Sequence, residues 1–187
     1  DVTVAADLSY PGYTFTGWQS TNPAITAEQT TFKMPDRDVE LIGYFTANTG
    51  IPYKTIHYVQ NLDGTYSVRE TVNGTGTTDA PVTAAVRVYE GFTLDTTVMG
   101  ATVTGVSGTV NTVSSGKVSA DGQFTMHQFH TRNKYTVTYA YEGSVPGTAP
   151  ALPITKEYYH GQTVTVESHA AQDAVLDQTF AGWHTLD

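Results

Sequence analysis

Four short patterns recur in the same order along this chain. A chain that repeats itself in this way must fold as successive supersecondary units rather than around one large core. One is a Val-Thr strand, Val2-Thr3-Val4, Val82-Thr83-Ala84 and Val164-Thr165-Val166, which sets a repeat of about 80 residues. A glycine-aromatic strand follows, as Gly12-Tyr13-Thr14-Phe15, Gly91-Phe92-Thr93-Leu94 and the weaker Gln178-Thr179-Phe180. Gly17-Trp18 and Gly182-Trp183 extend it in the first and third rounds. A closing strand appears as Val39–Phe45 and again as Phe124–Phe129. An opening strand appears as Tyr53–Tyr58 and Tyr135–Tyr139. The expected organisation is a partial unit at 1–50 without its opening strand, a complete unit at 51–134, and a partial unit at 135–187 without its closing strand. The abrupt start on Val2-Thr3-Val4 suggests a piece of something longer.

The expected fold class is mainly β: tandem small units with short hairpins and little helix. Tyr135, Val137, Tyr139 and Tyr141 alternate with smaller polar residues, and Val82, Ala84, Val86 and Val88 do the same, which is the period of a strand. Asp63-Gly64 lies between two strand-like runs and signals a hairpin, and Asp121-Gly122 repeats that chemistry. Met34–Asp38 reads as a turn before a strand, and Asn73-Gly74-Thr75-Gly76 as a turn. Gly100–Gly116, rich in Val, Thr, Ser and Gly, reads as an extra hairpin or a flexible loop. Helix potential is confined to Ala24–Gln29 and Ser168–Leu176. Only 14% of residues are charged, against about a quarter in ordinary soluble domains, and threonine, valine, glycine and tyrosine replace them.

The net charge of −9 disfavours nucleic acid and anionic membrane as partners. The chain has no cysteine, which excludes disulfides and thiolate sites. No stretch approaches the roughly 18 apolar residues of a membrane span. His127 and His130 are three apart and so face opposite sides of a strand, while His57, His160, His169 and His184 show no ligand spacing. Asp36, Asp38 and Glu40 cluster at a turn without EF-hand spacing. Ser107, in Gly105-Val106-Ser107-Gly108, is not a nucleophile elbow. No metal, cofactor or catalytic constellation is expected.

Several segments together resemble a known family. Gly12–Trp18, Thr31-Phe32-Lys33-Met34-Pro35 and Asp38-Val39-Glu40-Leu41 resemble the Listeria–Bacteroides repeat, the B-repeat type of internalin-like surface proteins. The middle unit, through Asn61–Tyr66, Gly91-Phe92-Thr93 and Thr131-Arg132-Asn133, is similar to mucin-binding-protein repeats of Gram-positive surface proteins. The resemblance implies β-grasp-like units in an extracellular, wall-anchored array, with the anchor outside this fragment. It also implies a non-catalytic stalk presenting an adhesive head. The rival is an adhesin module for host mucin, glycans or extracellular proteins. Other partners are neighbouring repeats of the same chain, with no membrane insertion.

Two readings compete for the aromatic residues. Trp18, Trp183 and Tyr13 are the candidate glycan contacts. Against that, Phe15, Trp18, Phe92, Phe180 and Trp183 are expected to be core anchors, because each recurs at a fixed place in the unit. On the core reading Trp18→Ala costs roughly 3–5 kcal/mol. Lys33, Lys54, Lys117, Lys134 and Lys156 are the lysines available for a self-formed isopeptide crosslink, and their plainer reading is solvated surface charge.

Overall fold

The computed structural model describes residues 1–26, 29–145, 147, 149–167 and 182–185. The described residues are mainly β and contain no helix. None of their elements is a helix long and apolar enough to cross a membrane.

The largest sheet has four strands and lies wholly within residues 51–132. Strand β5 (Ile51–Gln60) turns back into β6 (Tyr66–Gly76), and β12 (Thr125–Arg132) lies beside β5 in parallel. The short β8 (Phe92–Asp95) closes the other side of β12, giving the order β6-β5-β12-β8. A parallel central pair needs a long crossover. Here β7 (Pro81–Thr83), β8, β9 (Ala101–Thr102), β10 (Thr109–Val110) and β11 (Ser115–Lys117) make it without a helix. The sheet is therefore mixed, with its one parallel pair at the centre.

The β5–β6 hairpin forms where Asp63-Gly64 predicts it. Gly64 takes φ 85°, and Asp63 Oδ1 accepts both the backbone N–H and the hydroxyl of Thr65, which holds its carboxyl below the usual range. Asp121-Gly122 also turns the chain, with Gly122 at φ 70°, but β11 and β12 belong to different sheets, so no hairpin results. Gly100–Gly116 resolves into the β9–β10 hairpin and β11.

The aromatic core lies on one face of this sheet. Phe129 of β12 stacks on Tyr58 of β5 at 4.7 Å and meets Tyr66 of β6 edge-on at 4.9 Å. Ala101 and Val103 complete the cluster from the β9–β10 hairpin. β12 alternates as a strand must: Phe129 enters this core while Met126, Gln128 and His130 are buried on the opposite face.

The flanking segments are smaller. β1 (Val2–Thr3) pairs with β3 (Thr31–Phe32), and β2 (Tyr13–Ser20) with β4 (Leu41–Ala47), all antiparallel. β13 (Lys134–Val137) pairs with β14 (Lys156–Tyr159). The middle unit repeats the first: β7 pairs with β11 as β1 does with β3, and β8 with β12 as β2 does with β4.

Several expectations are corrected. Asn73–Gly76 is the end of β6, not a turn. Its glycines serve packing, since a Cβ on Gly74 would sit 2.5 Å from the Tyr53 ring and one on Gly76 2.8 Å from Val118. The alternating run from Val82 to Val88 is a strand only to Thr83, because β11 offers three partners and no more. Beyond it Val88 is 90% exposed, while Arg87 and Tyr89 turn to β6 and hydrogen-bond Glu70. The run from Tyr135 to Tyr141 leaves the strand after Val137. Val164–Val166 makes no ladder among the described residues. Asn22–Ile25 is a turn, not the start of a helix, and residues 27 and 28 lie outside the described residues. So do Ser168–Leu176 and Phe180.

Candidate functional site

One arrangement of hydrogen bonds, a junction, occurs twice among the described residues, at Asn48 and at Asn133. At the first junction the backbone N–H of Asn48 donates to the carbonyl of Gly12 (2.8 Å), and the hydroxyl of Thr14 donates to Asn48 Oδ1 (2.7 Å). The carbonyl of Asn48 accepts the N–H of Thr78 (2.9 Å). At the second junction Asn133 does the same work. Its N–H donates to Gly91 O (2.9 Å), Thr93 donates to its Oδ1 (2.7 Å), and its carbonyl accepts the N–H of His160 (2.8 Å). One asparagine thus ties the end of a closing strand to its own unit and to the next.

Glycine is required at the point of contact. Gly12 and Gly91 take φ 80° and 77°. A Cβ on Gly12 would lie 2.6 Å from both Thr78 Cγ2 and Ala120 Cβ, and one on Gly91 would run into the His160 ring. The residue after each contact also has a left-handed backbone, Asp79 at φ 61° and Gly161 at φ 72°. Aspartate tolerates that region better than most residues. The side chains then diverge. Tyr13 donates its hydroxyl to Asp79 Oδ2 (2.6 Å), which raises the phenol's pKa. The second junction carries Phe92 in that place, and the Arg132 guanidinium lies 4.8 Å over its ring. Arg132 Nη1 donates to His160 O and Nε to Gln60 O (2.6 and 3.0 Å). A cleft of about 650 Å³ opens here, with Arg69, Tyr89 and His160 in its wall.

The two tryptophans also share one geometry. Trp18 Nε1 donates to Ala5 O and Trp183 Nε1 to Glu167 O, each at 3.0 Å and each just beyond the Val-Thr-Val segment of its round. Trp18 meets Phe15 edge-on at 5.4 Å, and Phe15 meets Phe45 at 5.2 Å. Trp183 packs on Tyr139 at 4.7 Å. Phe15, Trp18, Phe92, Trp183 and Tyr13 are all half-buried.

Residues 1–49 match the model of the divergent InlB B-repeat domain. The match covers β1 to β4 and ends one residue past the junction asparagine, Asn48. No curated protein and no solved structure matches the chain. Within the matched residues lie two antiparallel strand pairs, the hydrogen bond from Trp18 to Ala5 and the asparagine Asn48.

Sequence spacing missed one cluster. His57 on β5 and His130 on β12 are both 1% exposed, and Tyr89 meets His130 edge-on at 4.6 Å. The parallel register alone brings them together, and 73 residues separate them in sequence. Burial keeps both imidazoles below the usual histidine pKa. Glu70, held by Tyr89 (2.8 Å) and Arg87 (2.9 Å), stands beside them and is itself lowered, chiefly by the Tyr89 hydroxyl. His127 faces the other way, with Nδ1 2.8 Å from Tyr58 Oη. No group of three or more metal-ligating side chains occurs among the described residues. Asp36, Asp38 and Glu40 are exposed, as are all five lysines named above.

Proposed function

We propose that this chain is a non-catalytic structural repeat region of a bacterial cell-surface protein, a stalk or spacer that presents an adhesive head. The observation that carries the reading is the junction made twice with the same atoms. Asn48 and Asn133 join successive units through matching hydrogen bonds, and a spacer needs such fixed joints more than it needs a pocket. The match of residues 1–49 to a repeat family of surface proteins supports it. So does the chemistry of the aromatic side chains, because the indole N–H groups of Trp18 and Trp183 and the hydroxyl of Tyr13 are engaged within the protein.

Small-angle scattering tests the proposal. A stalk gives a rod-like distance distribution with a long tail and one preferred angle at each junction. A compact, globular distribution overturns it.

A further inference from the structure

The middle unit shows what the first one leaves open. In the middle, the closing strand β12 has β8 on one side and the parallel β5 on the other. In the first segment the closing strand β4 has only β2, and among the described residues nothing pairs with its second edge.

The matching registers make the comparison residue by residue. Tyr13 faces Ala47 as Phe92 faces Arg132, so Tyr44 stands where Phe129 stands. Phe129 is 0% exposed, closed by Tyr58 of β5 and by Tyr66 of β6. Tyr44 is 44% exposed. Ile42 and Phe45, in the places of His127 and His130, are exposed as well. The strand therefore carries exposed large apolar side chains, Ile42 and Tyr44 on one face and Phe45 on the other, beside a backbone edge that no strand pairs among the described residues, which is a template for strand addition.

We propose that the free edge of β4 accepts a β-hairpin of the β5–β6 type, its leading strand adding in parallel with a tyrosine opposite Tyr44. The occupant is a hairpin rather than a lone strand because both strands of β5–β6 cover Phe129, Tyr58 by stacking and Tyr66 edge-on. The orientation is parallel because β5 runs parallel to β12. The side-chain pattern follows from β5: Lys54, Ile56 and Tyr58 on one face, and Tyr53, Thr55 and His57 on the other. Backbone hydrogen bonds would supply affinity, and the side chain packed on Tyr44 would supply selectivity.

The test titrates the full 187-residue chain, isotopically labelled, with a synthetic peptide of residues 51–76. Binding should be saturable, and the amides of Leu41, Gly43 and Phe45, which point away from β2, should exchange with solvent at least about tenfold more slowly in the complex. The same peptide with proline at the position of Ile56 should not bind, since it cannot complete the ladder. Tyr44→Lys should abolish binding, because the charge sits in water in the free chain and would be covered in the complex. Near-unchanged amide shifts through β2, β1 and β3 would show that the segment carrying this variant remains folded. Unaltered exchange at β4 under saturating peptide overturns the proposal. Protection confined to the β6 or β8 edge also overturns it. So does β4 protection in the absence of peptide with a doubled mass in sedimentation, which would make a second copy of the chain the occupant.

Discussion

His57 Nδ1 lies 3.5 Å from His130 Nε2, between neighbouring parallel strands, and the remaining ring nitrogens, His57 Nε2 and His130 Nδ1, have no hydrogen-bond partner among the described residues. The charged groups facing the pair are Glu70 from β6 and Arg87 from the segment before β8, with the Tyr89 hydroxyl bound to Glu70. A proton on His57 would be a buried charge opposed by Arg87 and partly offset by Glu70, and one on His130 would be a buried charge opposed by His57 and partly offset by Glu70. Burial therefore lowers both pKa values in the folded state.

The sign of the pH dependence follows. Above the unfolded histidine pKa of about 6.5 both states hold the rings neutral, and there is no penalty. As pH falls below it the unfolded chain takes up protons that the folded chain refuses, so stability drops, by at most about 1.4 kcal/mol per pH unit for each ring. His127, also lowered by burial, adds to the slope. Glu70, lowered too, adds its loss in a more acidic window. Thermal melts between pH 7.5 and 5 should show a falling midpoint. The double variant His57→Phe, His130→Phe should flatten that slope without abolishing it. An unchanged slope would mean that the pair does not titrate as its burial requires.

Gly91 and Gly50 separate backbone strain from contact. Both have positive φ, 77° and 73°, so alanine at either costs about 1–2 kcal/mol of backbone strain. A Cβ on Gly50 meets nothing within 4 Å, whereas one on Gly91 displaces the His160 ring. Gly91→Ala should therefore lower the melting temperature more than Gly50→Ala. It alone should loosen the second junction, read as diverging alignment of 51–132 and 134–159 in residual dipolar couplings.

Asn48→Ala and Asn133→Ala should act alike. Each removes the side-chain bond from Thr14 or Thr93 and leaves the backbone bonds in place, a cost of about 0.5–1.5 kcal/mol. The useful readout is faster hydrogen exchange at the next unit's contact, Thr78 for the first variant and His160 for the second. Equal exchange in variant and parent would show that the asparagine side chain does not brace the joint.

Much of the fold was legible because β periodicity and turn chemistry are local. Asp63-Gly64 marks the hairpin, and the closing strands at Val39–Phe45 and Phe124–Phe129 fall on β4 and β12. Failures came where a strand depends on its partner. Val86 and Val88 keep the alternation of a strand but have no neighbour to pair with, and Tyr139 and Tyr141 leave theirs. Gly74 and Gly76 looked like turn residues because their real purpose, room for Tyr53 and Val118, is a tertiary contact. The His57–His130 pair was invisible for the same reason, since only the parallel register makes it. The junction was half legible: Gly12 and Gly91 stood out in the repeat and Asn133 fell within the Thr131-Arg132-Asn133 likeness, whereas Asn48 carried no signal because its bonds are tertiary contacts.

Trp18 offers a final prediction, and the structure changes its magnitude. The ring is half-buried, so Trp18→Ala should cost about 2–3 kcal/mol rather than the 3–5 kcal/mol of a fully enclosed aromatic. Trp18→Phe keeps an aromatic ring against Phe15 but loses the N–H donated to Ala5 O, at a cost of about 1 kcal/mol. That bond ties β2 to the segment after β1, so Trp18→Phe should speed amide exchange in β1 and β3 more than in β4. Chemical denaturation measures the first effect and hydrogen exchange the second. If Trp18→Ala left the denaturation midpoint of the first segment unmoved, the indole would not be an anchor, and its surface would be free for a ligand.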